Sequence, residues 1–246
     1  MKKGFYTIIA AQFVSSLADN ALLIAAIALL GAMHAASWWT PLLQILFTTS
    51  YVVLAPFAGA FADALQKRYV MFAANALKAA GCAMMLAGVH PMIAYGVVGI
   101  GAAAYSPAKY GILTELLPAR RLVAANAWLE SATVLSTIVG TALGGALISA
   151  RAASVLSRLD WPFLHRAPKF AMFSVMLVYA AAALVNIGIP DTGARYTNRL
   201  REPERLVGEF IESFNLLWRD ELAQIALWVT TLMWGADEHG REMAAN

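Results

Sequence analysis

The sequence predicts an all-α membrane protein, six transmembrane helices followed by a partial seventh, on three observations. Of its 246 residues, 60% are hydrophobic and 13% are charged, whereas a soluble domain carries roughly 25% charged residues. Long apolar runs recur at about the 20 residues needed to cross a bilayer. The basic residues fall mainly in short segments between those runs, so the net charge of +3 reads as a topology signal and not as a nucleic-acid footprint.

The six runs cover residues 5–32, 41–62, 69–89, 92–116, 122–150 and 170–189. Breakers stand between them at Ser37 to Pro41, His90-Pro91, Pro118 and Ile189-Pro190-Asp191. Lys2 and Lys3 precede the first run as they would in a secretory signal. That run is too long for a signal core, however, and carries Gln12, Ser16 and Asp19 on one helical face. One side of the membrane receives Lys2, Lys3, Lys67, Arg68, Arg120, Arg121, Arg195, Arg199, Arg201, Arg205 and Arg219, and the other only Arg151, Arg158, Arg166 and Lys169. The richer side, and the N-terminus with it, is expected in the cytoplasm.

Residues 1–190 are thus expected to form a six-helix transmembrane bundle. Residues 191–221 follow as a charged cytoplasmic linker in which Val207, Phe210, Ile211, Phe214 and Leu217 recur at helical spacing, the pattern of an amphipathic interfacial helix or of an ordinary soluble linker. The apolar run at 222–236 would cover about 22 Å, short of the roughly 30 Å hydrocarbon core. Residues 237–246 make a polar tail, and the chain is expected to end inside a span. The single cysteine, Cys82, lies in an apolar stretch and excludes an internal disulfide.

Four formal charges lie within the spans: Asp19, Lys78, Lys109 and Glu130. Charge at bilayer depth is costly and faces a wet cavity or a partner rather than lipid. Gln44, Thr48 and Tyr51 share a face of the second span, Asn75 and Lys78 one of the third, Tyr105 and Lys109 one of the fourth, and Asn126, Glu130, Thr133 and Thr137 one of the fifth. Convergence of these faces would build a chamber for a zwitterion. Asp19, beside Asn20, would accept an ammonium, Lys109 or Lys78 would hold a phosphate, and Tyr51 and Tyr105 would line the walls. The same charges, which cancel, could instead form a structural network in which Lys78 pairs with Glu130. In the fifth span Gly140, Gly144 and Gly145 offer a small-residue contact face.

An enzyme is not expected. Ser106-Pro107-Ala108-Lys109 matches an S-x-x-K string, but its companion motifs are missing and it lies within a span. The sequence has no phosphate-binding loop, H-E-x-x-H or cysteine–histidine set, and neither a cofactor nor a metal is expected.

The segment Gly59-Ala60-Phe61-Ala62-Asp63-Ala64-Leu65-Gln66-Lys67-Arg68 resembles the loop signature of the major facilitator superfamily, with Gly59, Asp63, Lys67 and Arg68 in place and Ala64 and Gln66 departing from it. Gly59 would permit close helix contact, Asp63 would accept from a helix N-terminus, and the cations would pair with an acid such as Glu115. Further strings, Ala18-Asp19-Asn20-Ala21-Leu22-Leu23, Phe72-Ala73-Ala74-Asn75 and the stretch from Gly99 through Tyr105-Ser106-Pro107-Ala108-Lys109-Tyr110 to Leu113, resemble the lysophospholipid transporter branch of that superfamily. The resemblance runs in order from about Gln12 to Trp234.

It implies the N-terminal half of a twelve-span carrier of the bacterial inner membrane, with inward flipping of lysophosphatidylethanolamine-type lipids by alternating access and a functional link to a cytoplasmic acyltransferase. It also implies a C-terminal half as partner. Two other readings stay open: a superfamily carrier for another amphiphile or drug, and a non-transporting fragment or half-transporter that needs a partner.

Overall fold

A computed structural model describes residues 3–156, 167–194, 203–229 and 231–232 of the chain. Residues 1–198 form one compact unit and residues 199–246 another. The first unit contains α1 (Lys3–Ala32), α2 (Trp39–Ala64), α3 (Lys67–Leu86), α4 (Pro91–Leu116), α5 (Ala119–Ile148), a short α6 (Ala150–Leu156) and α7 (Ala167–Ile187). The described residues include no strand, and the expectation of an all-α bundle holds.

Local chemistry sets the helix ends. Gly88 adopts φ 91° just after α3, a left-handed conformation that costs glycine little, and its amide returns to the Met85 carbonyl. Pro91 then opens α4, where its missing N–H is not needed, and the His90 imidazole accepts from the Met92 amide. Ser149 breaks the expected fifth run: α5 ends at Ile148, and the Ser149 hydroxyl accepts from the Ala152 amide to start α6. α6 falls in a connection that the sequence left without structure.

Five helices, α1, α2, α3, α5 and α7, are long and apolar enough to cross a membrane. The fourth expected span, α4, has 26 residues and comparable length, but its glycines, tyrosines, Lys109 and Glu115 dilute its apolarity. It is sheltered accordingly, packed between α2 and α3. The dominant helix contacts are α1 with α5 and α7, α4 with α2 and α3, and α3 with α7. This pattern is unchanged when α1 is exchanged with α4, α2 with α5, and α3 with α7. Two three-helix units packed alike produce it, and an odd number of crossings in each turns the second upside down relative to the first.

The core divides into two apolar clusters. One gathers Leu22, Leu43, Cys82, Met85, Tyr95, Met172 and Tyr179, and the other Phe5, Ile8, Met71, Ile112, Leu113 and Leu129. Between them α1 contributes buried Ser15, α3 contributes Asn75 and Lys78, and α7 contributes Asn186. The polar layer therefore crosses the middle of the bundle.

Gly140 and Gly144 meet the expectation of a contact face, because α5 crosses the backbone of α1 there. A Cβ on Gly144 would lie 2.9 Å from the Ala21 carbonyl oxygen, whereas one on Gly145 would meet nothing within 4 Å. Gly59, expected at a close helix contact, likewise has nothing within 4 Å of a built Cβ. Its α2 face is open.

In the second unit α8 (Pro203–Arg219) places Val207, Phe210, Ile211, Phe214 and Leu217 on an exposed face, as the spacing predicts. Residues 221–229 continue as helix after Asp220, whose carboxylate accepts from the Leu222 and Ala223 amides at 2.9 and 3.2 Å. The expected end of the short run and the polar tail lie outside the described residues.

Gly144→Val is expected to destabilise the bundle by about 1–3 kcal/mol, because backbone atoms of α1 cannot yield as a side chain would. Gly145→Val is expected to be neutral. Unfolding midpoints of the two variants in detergent, compared with the parent chain, check this.

Candidate functional site

Asp19 on α1 and Lys78 on α3 meet in the polar layer. The Lys78 ammonium lies 2.9 Å from Asp19 Oδ1 and 3.0 Å from Oδ2, and donates to the Ser15 hydroxyl at 3.2 Å. Ser15 in turn donates to Asn75 Oδ1 at 2.7 Å. Tyr179 of α7 donates to Asp19 Oδ1 at 2.7 Å. The rings of Tyr105 and Tyr179 stand 5.2 and 5.6 Å from the ammonium, within reach of a cation–π attraction. Four helices thus contribute to one charged cluster.

Exposure is unequal across the pair: the Lys78 side chain is 1% exposed and that of Asp19 is 24% exposed. The carboxylate can be reached from one side while the ammonium sits behind it. Sequence reasoning missed Tyr179. It stands in the uninterrupted apolar run of α7, where nothing but its hydroxyl marks it as polar.

Lys109 is also buried, its ammonium 4.4 Å from the centre of the Tyr110 ring. Tyr110 donates to Glu130 Oε1 of α5 at 2.7 Å. The pairing of Lys78 with Glu130 considered from sequence is therefore not formed. The carboxylate on α1 takes the lysine, and the one on α5 takes a phenol. Asn20 is engaged with the Ser16 carbonyl at 2.8 Å and the Thr137 hydroxyl at 3.4 Å, and Gln12 donates to Thr133 at 2.9 Å. These bonds seal α1 against α5. On α2, Tyr51 is exposed, in ring contact with Phe47, and Gln44 and Thr48 are exposed beside it. Tyr105 is enclosed behind Lys78 and does not face open space.

A second charged cluster lies at the other end of the second apolar group. Lys67 Nζ is 2.6 Å from Glu115 Oε1 and 2.9 Å from Asp63 Oδ1, and Thr192 donates to the other Glu115 oxygen. The pairing expected for Glu115 is present and ties the end of α2, the start of α3, the end of α4 and the segment after α7. Asp63 does not serve a helix N-terminus as expected. α3 begins at Lys67, preceded by Gln66, without a side-chain cap, and the Asp63 carboxylate takes Lys67 instead. Arg68 turns away to Gln66 Oε1 at 3.0 Å and to the Tyr69 hydroxyl and ring. A small cleft between Leu65, Lys67, Ile112, Glu115, Pro190 and Thr192 adjoins this network.

Residues 8–236 match the Major Facilitator Superfamily. The chain belongs to that superfamily. It is 39% identical over 236 residues to the lysophospholipid transporter LplT of Yersinia enterocolitica serotype O:8 / biotype 1B, and 38% identical over the same length to LplT of Yersinia pestis (strain Pestoides F). Each alignment covers 96% of this chain and 54% of the relative, so the chain spans about half the length of the curated relatives it matches. These relatives are named as transporters and not as enzymes.

Lys67 and Glu115 are nearly buried, 5% and 8% exposed, so each depends on the other for compensation. A double-mutant cycle with Lys67→Met and Glu115→Gln is expected to give a coupling of about 1–3 kcal/mol in detergent unfolding, the double variant being more stable than the sum of the two single losses implies. A coupling near zero would dissolve the network.

Proposed function

We propose that this bundle is the N-terminal half of a lysophospholipid transporter that moves lysophosphatidylethanolamine-type lipids inward across the bacterial inner membrane, its N-terminus in the cytoplasm. The Asp19–Lys78 pair carries the reading: a carboxylate held at mid-bundle depth, a quarter exposed and compensated from behind, is expensive to place in a membrane unless something polar comes to it. The similarity to LplT over 96% of the chain supports a lysophospholipid as that visitor. The head-group ammonium would approach Asp19 from its exposed side and the phosphate would be drawn to Lys109, while the acyl chain follows apolar surface. Transport proceeds by alternating access of this bundle against a second one, equivalent to the remainder of the relatives' length. Asp63, Lys67 and Glu115 would latch the cytoplasmic end in one of the two states. The product would pass to a cytoplasmic acyltransferase that restores the missing chain.

Vesicles carrying the chain together with the second half of a full-length LplT relative are expected to take up fluorescent lysophosphatidylethanolamine, and Asp19→Asn to slow uptake by about 10-fold or more. Unchanged uptake in that variant would remove Asp19 from the path. If cationic amphiphiles compete and lysophospholipids do not, the carrier serves a different amphiphile.

A further inference from the structure

Resting on the reading above, we infer that Lys78 is the resident occupant of a site the substrate must share, a displaceable internal counter-ion whose ammonium leaves Asp19 when a ligand's ammonium arrives. The first observation is geometric. Asp19 presents its open side away from Lys78, which is sealed at 1% exposure behind it. An incoming cation therefore meets the carboxylate without having to pass the lysine.

The second observation concerns where Lys78 would go. Two buried polar atoms on residues about it have no hydrogen-bond partner among the described residues: Asn75 Nδ2 and the Tyr105 hydroxyl. Such atoms are few in folded proteins, and each calls for a reason. Asn75 lies one turn before Lys78 on α3 and is already linked to it through Ser15. Tyr105 places its ring 5.2 Å from the ammonium. The Tyr105 hydroxyl is an acceptor in wait for a donor, and Lys78 is a flexible donor with three protons beside that ring.

The third observation is charge. Asp19, Glu130, Lys78 and Lys109 sum to zero, and a zwitterion adds nothing to the sum. When a ligand ammonium replaces Lys78 on Asp19, the carboxylate is never left bare. The lysine keeps the Ser15 hydroxyl and the faces of Tyr105 and Tyr179 and turns to the waiting Tyr105 hydroxyl, while a ligand phosphate goes to Lys109. An exchange of one ammonium for another avoids the large cost of an unpaired buried carboxylate. It also couples head-group arrival to a change in what holds α1 to α3, which gives the ligand a differential interaction with two states of the bundle.

Binding to the full chain in nanodiscs tests this, with lysophosphatidylethanolamine and dodecylammonium as probes and Lys78→Met, Lys78→Arg, Asp19→Asn and Asp19→Asn/Lys78→Met as variants. Removal of the competitor in Lys78→Met is expected to tighten both probes by about 10-fold, and Lys78→Arg, whose fork grips a carboxylate with two parallel bonds, to weaken both by a similar factor. Asp19→Asn/Lys78→Met is expected to lose the gain. Lys78→Arg keeps the ion pair, so it decides the matter even where Lys78→Met fails to fold. Affinity equal to that of the parent chain in Lys78→Arg, or weaker binding in Lys78→Met, overturns the exchange. If dodecylammonium follows the expected pattern while lysophosphatidylethanolamine binds to no variant, the exchange stands and the lysophospholipid reading falls. If lysophosphatidylethanolamine binds the parent and both Lys78 variants alike and Asp19→Asn weakly, the lysophospholipid reading stands and the exchange falls.

Discussion

A carboxylate and an ammonium that share hydrogen bonds at 2.9 and 3.0 Å in the middle of an apolar bundle constrain everything around them. Neither Asp19 nor Lys78 could be placed alone among Leu22, Met71 and Met85 without a large desolvation cost. Their pairing therefore ties α1 to α3 through side chains alone. It also explains why the core is split: an apolar cluster can be continuous only where no helix has to house a charge, and the polar layer falls where one cluster gives way to the other. Ser15, Asn75 and Tyr179 are there because the pair leaves lone pairs and protons that water cannot serve.

How far this was legible in the chain depends on what each residue's neighbours look like. Asp19 and Lys78 were conspicuous because a charge within an apolar run has few innocent explanations, and the link from Lys67 to Glu115 followed from charges at the ends of neighbouring runs. Tyr179 left no trace, since its partner is 160 positions away and its ring suits an apolar span as well as leucine does. The choice between Glu130 and Asp19 as the partner of Lys78 was equally hidden. Periodicity places a residue on a face of its own helix but does not say which helix that face meets. Gly59 and Gly144 make the same point, for the two look alike in sequence and only Gly144 has a backbone pressed against it. Span boundaries were easier where proline at 91 and 118 acts on its own helix, whereas the break at Ser149 fell inside the run expected to reach residue 150.

The exchange relation among the helices shows what the scaffold shares between its two three-helix units and what it does not. α1 and α4 occupy corresponding places, yet one carries Asp19 and the other Lys109. α3 and α7 also correspond, and they supply Lys78 and Tyr179, a cation and a neutral phenol, to the same carboxylate. A common packing pattern has been given unlike side chains: of Asp19, Lys78, Lys109 and Glu130, each unit carries one acid and one lysine, on helices that do not correspond. Such an arrangement keeps the frame stiff through backbone contacts such as that of Gly144 on Ala21 and leaves the polar layer to specify what is bound.

The corresponding helices α2 and α5 are the least covered of the membrane-length helices, and both leave polar side chains at the surface of the bundle. Gln44, Thr48 and Tyr51 are exposed on α2, and Asn126 and Ser131 on α5, with Glu130 half-buried. In hydrocarbon those groups would go unsatisfied, so a face that carries them is built to meet protein or water and not lipid. The apolar positions of α3 and α7, Leu77, Leu177 and Leu184 among them, are exposed in turn and suit lipid well. The surfaces of α2 and α5 thus mix polar side chains with apolar ones such as Val52 and Ile138, whereas the exposed positions of α3 and α7 are apolar. The exposed flank of Asp19 has to meet water or protein, since a carboxylate opening onto lipid would find no counter-charge there. Lys78 holds that counter-charge from behind while the front stays open, which is the arrangement a binding site requires and a purely structural ion pair does not.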